Sequence, residues 1–446
     1  MDCLTAISSI DGRYYKKIKE LSDTFSEFGY QKYRLFVEIE YLVSFSQKQI
    51  FDVKPSDIQH LKNIYIDFSI ENAIRIKEIE KKTNHDVKAI EYFIRDEVKR
   101  LNVDFNHEFI HFGLTSQDIN SVANLLRLQD TMTKIMIPNL SEIIKQIKTK
   151  ADDYIKIPML SRTHGQSASP TLLGKEFLVF YERLINQFTL LQEIKYKTKF
   201  GGAIGNLNAH YFCDDKKPWI ELFNEFMNYL GIDRHQYTTQ IDHYDNFSEI
   251  FDVLARICNI LIDFSRDIWQ YISYGYFNQI INKDETGSST MPHKVNPIDF
   301  ENGEGNLFIA QNYFQFLSRK LPISRLQRDL TDSTITRNIG VPIGHMLIGI
   351  KSILKGLNKL LVNTSKISED LSENSVVIAE AIQSQLRYLG IKDSYEKIKD
   401  VTRNNNNSID LCEVEILIRK ENLSKQYKDK IMNLSPFNYL GKVTEL

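Results

Sequence analysis

Apolar residues along this chain recur mainly at steps of three and four. The longest such run is Ile250, Leu254, Ile257, Leu261, Phe264, Ile268 and Tyr271. Alternating steps of four and three make an a/d seam, which predicts one long helix over 248–280 whose apolar side other long helices must cover. The same spacing predicts helices over 25–48 (Phe36, Ile39, Leu42, Val43), over 56–82 behind the breaker Pro55, over 86–100 with Asn84 as its cap, and over 116–154 with a kink at Pro138. Further helices are expected over 171–199, 300–316 and 339–361. Between them fall polar, Gly- or Pro-punctuated loops: 11–14, 161–166 between Pro158 and Pro170, the glycine-rich 201–206, 287–297, 324–337 and 404–407. The pattern describes an all-α protein of three helical domains, 1–112, 113–363 and 364–446, the middle one a bundle of about five long helices.

Length and composition agree with that reading. A chain of 446 residues is too long for one ordinary core. Apolar residues are 42% and charged ones 26%, as in soluble proteins. A net charge of −2 sets up no global field for nucleic acid or a membrane surface, so an anionic ligand has to be met by local cations. Cys3, Cys213, Cys258 and Cys412 are far apart, which favours reduced thiols and a cytoplasmic location over a disulfide framework. The N-terminus has no secretory pattern, and the apolar stretch 341–354 is too short to span a bilayer.

Three stretches carry candidate chemistry. The loop 287–297 reads Gly-Ser-Ser-Thr-Met-Pro-His-Lys-Val-Asn-Pro. Its glycine and serines leave backbone N–H groups for an anion, Lys294 adds a point charge and Asn296 a neutral donor, and Ser288 or Ser289 is a candidate nucleophile or base. Arg325, Arg328 and Arg337, mixed with hydroxyls, suit a phosphate. His107-Glu108-Phe109-Ile110-His111 matches the His-Glu-x-x-His pattern of zinc peptidases, which needs both histidines on one helical face. Gly113 limits that helix, and the longer zinc-binding continuation fails because Leu114 and Gln117 occupy its Gly and His positions. Gly201–Asn206 lacks a preceding strand, so it is a weak nucleotide-loop signal.

The loop wording, continuing into Ile298, Asp299, Phe300 and Glu301, resembles the signature loop of the fumarase/aspartase superfamily, and within it most resembles the adenylosuccinate lyase family. Further motifs of that family stand in order along the chain: Asp11–Tyr14, Asn84-His85-Asp86, His111 through Thr115-Ser116, Arg162-Thr163-His164-Gly165-Gln166, and Tyr237–Ile241. The resemblance implies a β-elimination that releases fumarate from a succinylated purine nucleotide, with Ser288 as general base, His164 as general acid and Glu301 holding its imidazole. It assigns substrate contacts to Arg13, Tyr14, Asn84, His85, Asp86, His111, Thr115, Ser116, Gln240, Ser289, Lys294, Val295, Asn296, Asn302, Thr334, Ile335 and Thr336, and nucleotide-phosphate contacts to Arg328, Ser333 and Arg337. It implies no metal and no organic cofactor, and a homotetramer whose active sites draw on three subunits. The rival readings are a sister lyase acting on argininosuccinate and the zinc peptidase through His107, Glu108 and His111. A serine base needs its pKa lowered by many units, at about 1.4 kcal/mol each. Closure of the loop over substrate is therefore expected before the base is competent.

Overall fold

The computed structural model describes residues 3–280, 291, 294–402 and 408–443. Helices dominate it. Six of the described helices are long: Glu27–Gln47, Ile137–Tyr154, Leu173–Glu193, Asp245–Ser273, Ile298–Lys320 and Gly340–Lys359. The described residues also form three two-stranded ribbons. β1 (Pro158–Thr163) and β2 (Gln166–Leu172) are antiparallel, β3 (Lys197–Thr198) and β4 (Asp233–Arg234) parallel, and β5 (Phe277–Gln279) and β6 (Leu360–Val362) antiparallel.

The chain falls into two compact units, 1–141 with 187–262 and 303–351, and 142–186 with 263–302 and 352–446. Glu27–Gln47 falls in the first of these, and the residues of each of the other five long helices are divided between the two. The predicted seam is the reason these helices pack: Ile250, Leu254, Ile257, Leu261, Phe264 and Ile268 are all at most 1% exposed. Burying side chains of this size is worth roughly 1.5–3 kcal/mol each.

In the first unit, Phe251 stacks on Phe314 at 5.8 Å, and Ser248 Oγ donates to the Ser318 carbonyl at 2.8 Å. Gly349 lies so close to the neighbouring helix that a Cβ there would come within 2.7 Å of Leu307. Ahead of these segments the helices Glu27–Gln47, Asp86–Arg100 and Ser116–Thr131 pack around buried Leu35, Ile39, Phe93 and Val122. In the second unit, Phe180 meets Phe264 edge-on at 5.2 Å, Tyr154 meets Phe177 at 5.6 Å, and Asn302 Nδ2 donates to Ser352 Oγ at 2.6 Å. Its C-terminal helices close a small core of their own around Ile382, Leu386, Ile398, Val414 and Ile418.

Several local expectations change. The break at Pro138 is not a simple kink: a π-helical stretch, Met132–Met136, precedes Ile137–Tyr154, so the wider turn comes where proline removes an N–H and crowds the preceding carbonyls. The helix expected over 171–199 is shorter. Pro170 to Leu172 extend as β2, and Lys197–Thr198 is drawn into β3. Residues 161–166 are the end of a hairpin rather than a free loop. The whole of 404–407 lies outside the described residues.

Candidate active site

The first unit contains a cleft of about 600 Å³. Asn84, His85, Asp86, Ser116, Arg328, Ser333, Thr334, Thr336 and Arg337 line it, so three separate sequence motifs converge there.

One wall is a helix start. Asn84 is not the cap of Asp86–Arg100: it sits in the left-handed region at φ +49 and ends the preceding helix, Ile70–Thr83. His85 is the cap, its Nδ1 accepting the Lys88 N–H at 3.1 Å. An asparagine tolerates the left-handed conformation better than most residues, and that preference decides its place. Capping through Nδ1 fixes the ring and turns Nε2 towards Ser116 Oγ, 3.4 Å away. Asp86 Oδ2 accepts from Arg34 at 2.6 Å and from Arg337 at 2.8 Å. Burial would raise its pKa; Arg34, the Val87 N–H and Arg337 outweigh burial and hold it down to about 2.

A second wall is the start of Ser116–Thr131, where Thr115 and Asp118 form a capping box. Asp118 Oδ2 accepts the Thr115 N–H at 2.8 Å. Its Oδ1 accepts the Gly201 N–H at 2.7 Å and pairs with Lys199 Nζ at 2.6 Å. Both side chains of that pair are fully buried. The glycine-rich loop thus acts as a backbone partner for Asp118, which in turn fixes the Thr115-Ser116 corner. Burial lowers the Lys199 pKa against the pull of Asp118.

The third wall is the arginine segment. Arg328 donates to Gln240 Oε1 at 3.3 Å and to Ser333 Oγ at 3.0 Å. Arg337 reaches Glu27 at 3.2 Å as well as Asp86. Arg325 is engaged with Asp329 and does not line the cleft.

The zinc-peptidase geometry is absent. His107–Phe109 is one 3₁₀ turn, Ile110 is extended and His111 has φ +59, so the two histidines share no α-helical face. Glu108 pairs with Arg95, and His111 Nδ1 sits 2.6 Å from Glu38 Oε1. Burial works against the charged His111 ring, yet Glu38 raises its pKa to about 9.

Arg13 is exposed beyond the Gly12 turn, and the Tyr14 ring lies under Lys17 Nζ. Ile335 is half-buried on the Thr331–Thr336 helix and does not line the cleft. In the second unit, His164 and Gly165 form the tip of the β1–β2 hairpin with φ +53 and +75. His164 is exposed and has no hydrogen-bond partner among the described residues. Glu301 Oε1 accepts from Trp269 Nε1 at 3.0 Å, so within one chain it does not hold the His164 imidazole. Lys294 and Val295 are exposed, and the Val295 carbonyl accepts from Gln279. Asn296 is half-buried, and Asn302 donates to Ser352. Ser288 and Ser289 lie outside the described residues.

The motif reading missed the floor of the cleft. Arg34 lies over the Tyr30 ring at 3.8 Å, and Arg127, which does not itself line the cleft, stands over the same ring at 4.2 Å. Gln117, Asn120, Asn124 and Arg127 are buried along one helix at steps of three and four. That spacing was readable as a polar stripe where an amphipathic helix should place apolar residues, and it is the signal that marks a buried polar site.

A family model described as "Lyase" matches residues 12–311, and one described as "Adenylosuccinate lyase C-terminal" matches residues 324–440. The chain is 46% identical to an adenylosuccinate lyase of Dictyostelium discoideum over 99% of this chain and 97% of that one. It is 43% identical to the adenylosuccinate lyase of Escherichia coli K12 over 99% and 98%. Among solved structures, a 3-carboxy-cis,cis-muconate lactonizing enzyme from Pseudomonas putida superposes with TM-score 0.74 at 20% identity, covering 95% of this chain and 94% of that one. A β-carboxy-cis,cis-muconate cycloisomerase from Acinetobacter calcoaceticus superposes with TM-score 0.70 at 16% identity, covering 96% of each. The solved structures support the all-α, long-helix fold alone. The sequence relatives, matched end to end, settle the family: this chain belongs to the adenylosuccinate lyases.

Proposed function

We propose that this chain eliminates fumarate from adenylosuccinate, giving AMP, and from the succinyl-carboxamide ribotide of purine synthesis, giving AICAR. The observation that carries the reading is the convergence of His85, Ser116, Arg328, Ser333 and Arg337 on one cleft, in a chain whose full-length relatives are adenylosuccinate lyases. Arginines and hydroxyls on one wall suit the nucleotide phosphate, and the helix start at Ser116 suits a succinyl carboxylate.

In the reaction, Ser288 as alkoxide takes the proton from the succinyl carbon next to a carboxylate. The electron pair left behind forms the double bond of fumarate, and the C–N bond breaks. His164 as imidazolium gives its proton to the departing nitrogen. Lys294, Asn296 and loop amides stabilise the charge that builds on the carboxylate. No step needs a metal or an organic cofactor. We assign Glu301 to the His164 imidazole across a subunit boundary, since within one chain its partner is Trp269. That assignment goes with a homotetramer sharing its active sites and with cytoplasmic purine synthesis; no described helix is long and apolar enough to cross a membrane. We further propose that the chain is organised as three helical domains, 1–112, 113–363 and 364–446.

The test offers the purified protein adenylosuccinate, the carboxamide ribotide and argininosuccinate separately, following fumarate by its ultraviolet absorbance. Turnover of both purine substrates and none of argininosuccinate is expected. Turnover of argininosuccinate alone would overturn the assignment.

A further inference from the structure

His235, Asp242 and His243 form a cluster that the elimination does not use. One ligand atom from each lies within 4.8 Å of those of the other two. Asp242 is fully buried, and neither of its carboxylate oxygens has a hydrogen-bond partner. The Thr198 hydroxyl and the His243 and Tyr244 amides are near it without reaching hydrogen-bonding geometry. His235 Nε2 is also unpartnered, 3.6 Å from Asp242 Oδ1. The two imidazole rings are 4.0 Å apart. A buried carboxylate whose neighbouring donors are poorly aligned is costly unless something positive meets it. Two neighbouring imidazoles cannot both take that role as cations, because they would repel each other.

We propose that His235, Asp242 and His243 bind a divalent transition metal of the zinc class, in a structural rather than a catalytic site. Two imidazole nitrogens and one carboxylate oxygen are a donor set that zinc accepts, with bonds of about 2.0–2.2 Å and donor separations of roughly 3.3 Å in a tetrahedron. The His235–Asp242 separation is already close to that. The half-exposed His243 has the freedom to close the rest, leaving the fourth position to water or to Asp245, whose Oδ2 is 3.0 Å from His243 Nδ1. The frame is fixed on both sides. The His235 N–H donates to the Thr198 carbonyl at 2.9 Å, extending the β3–β4 ribbon. Asp242 and His243 directly precede the Asp245–Ser273 helix, beside Tyr244, whose buried hydroxyl donates to Asp332. The metal would brace the turn that carries Gln240, two residues before Asp242, against Arg328.

The test uses the full chain, stripped with a chelator and dialysed against Co²⁺ or Zn²⁺. Wild type should take up one equivalent, show the intense visible bands of tetrahedral Co²⁺, and melt at a higher temperature with Zn²⁺ than without. Asp242→Asn and His243→Ala should lose the bands and the thermal shift. His243→Ala removes a half-exposed ring, and fumarate release shows that it has folded. Absence of uptake by wild type, or equal uptake and bands in folded His243→Ala, overturns the site.

Discussion

The Asp118–Lys199 pair shows how single residues set the site. Asp118 holds the Thr115 N–H, the Gly201 N–H and the Lys199 ammonium at once. Removing one partner of a buried pair costs about 3–5 kcal/mol, because the other charge stays behind. Lys199→Met should therefore lower stability in urea by that order and reduce kcat by loosening the Thr115-Ser116 corner. A loss below about 1 kcal/mol would show that the backbone amides alone satisfy Asp118. His111 supplies a pH signature. Its folded pKa of about 9 lies above the unfolded value near 6.5, so its pairing with Glu38 stabilises the fold fully below about pH 6.5 and is lost as pH rises through 9. The shift corresponds to roughly 3 kcal/mol. Melting curves of wild type and Glu38→Gln should therefore differ most at pH 6 and converge above pH 9. A constant gap across that range would contradict the pairing.

At the scale of elements, the β1–β2 hairpin is where sequence and structure part most usefully. Two prolines and a His-Gly pair read as a loop, yet both tip residues take positive φ, which is what a two-residue hairpin turn demands. The pairing that makes Pro158–Thr163 a strand is with Gln166–Leu172 and is invisible to a helical-period reading. Gly165 has nothing within 4 Å of where a Cβ would stand, so Gly165→Ala pays only for backbone conformation, about 1 kcal/mol. It should cut kcat by displacing His164, while Gly165→Asn, which tolerates the left-handed region, should recover most of it. Equal rates for Ala, Asn and wild type would separate the tip geometry from catalysis. The long helices were legible because their seam repeats over many turns, as Ile250 to Ile268 show. The shift of the cap from Asn84 to His85 was not, because both residues suit helix ends and only the backbone conformation distinguishes them. The buried arginines escaped for another reason: Arg34, which lines the cleft, and Arg127, which shares the Tyr30 ring with it, sit inside helices, where a charge normally reads as a solvated face.

At the scale of the molecule, the long helices leave apolar residues uncovered. Phe308, Ile309 and Phe316 on Ile298–Lys320 are 41%, 49% and 48% exposed, with Leu190 and Trp269 similarly open on two other long helices. Such faces are what a symmetric assembly of bundles would bury. Sedimentation should show a tetramer. Ile309→Asp should dissociate it and abolish fumarate release while leaving helicity intact. A fully active monomer would contradict shared active sites. The proposed elimination requires His164 and Ser288 to act on one succinyl bond. Its most direct test is the steady-state rate of fumarate release from adenylosuccinate by His164→Ala and Ser288→Ala. Each folded variant should lose about 10²-fold or more in kcat, with substrate still bound; near wild-type turnover by either variant would contradict the mechanism.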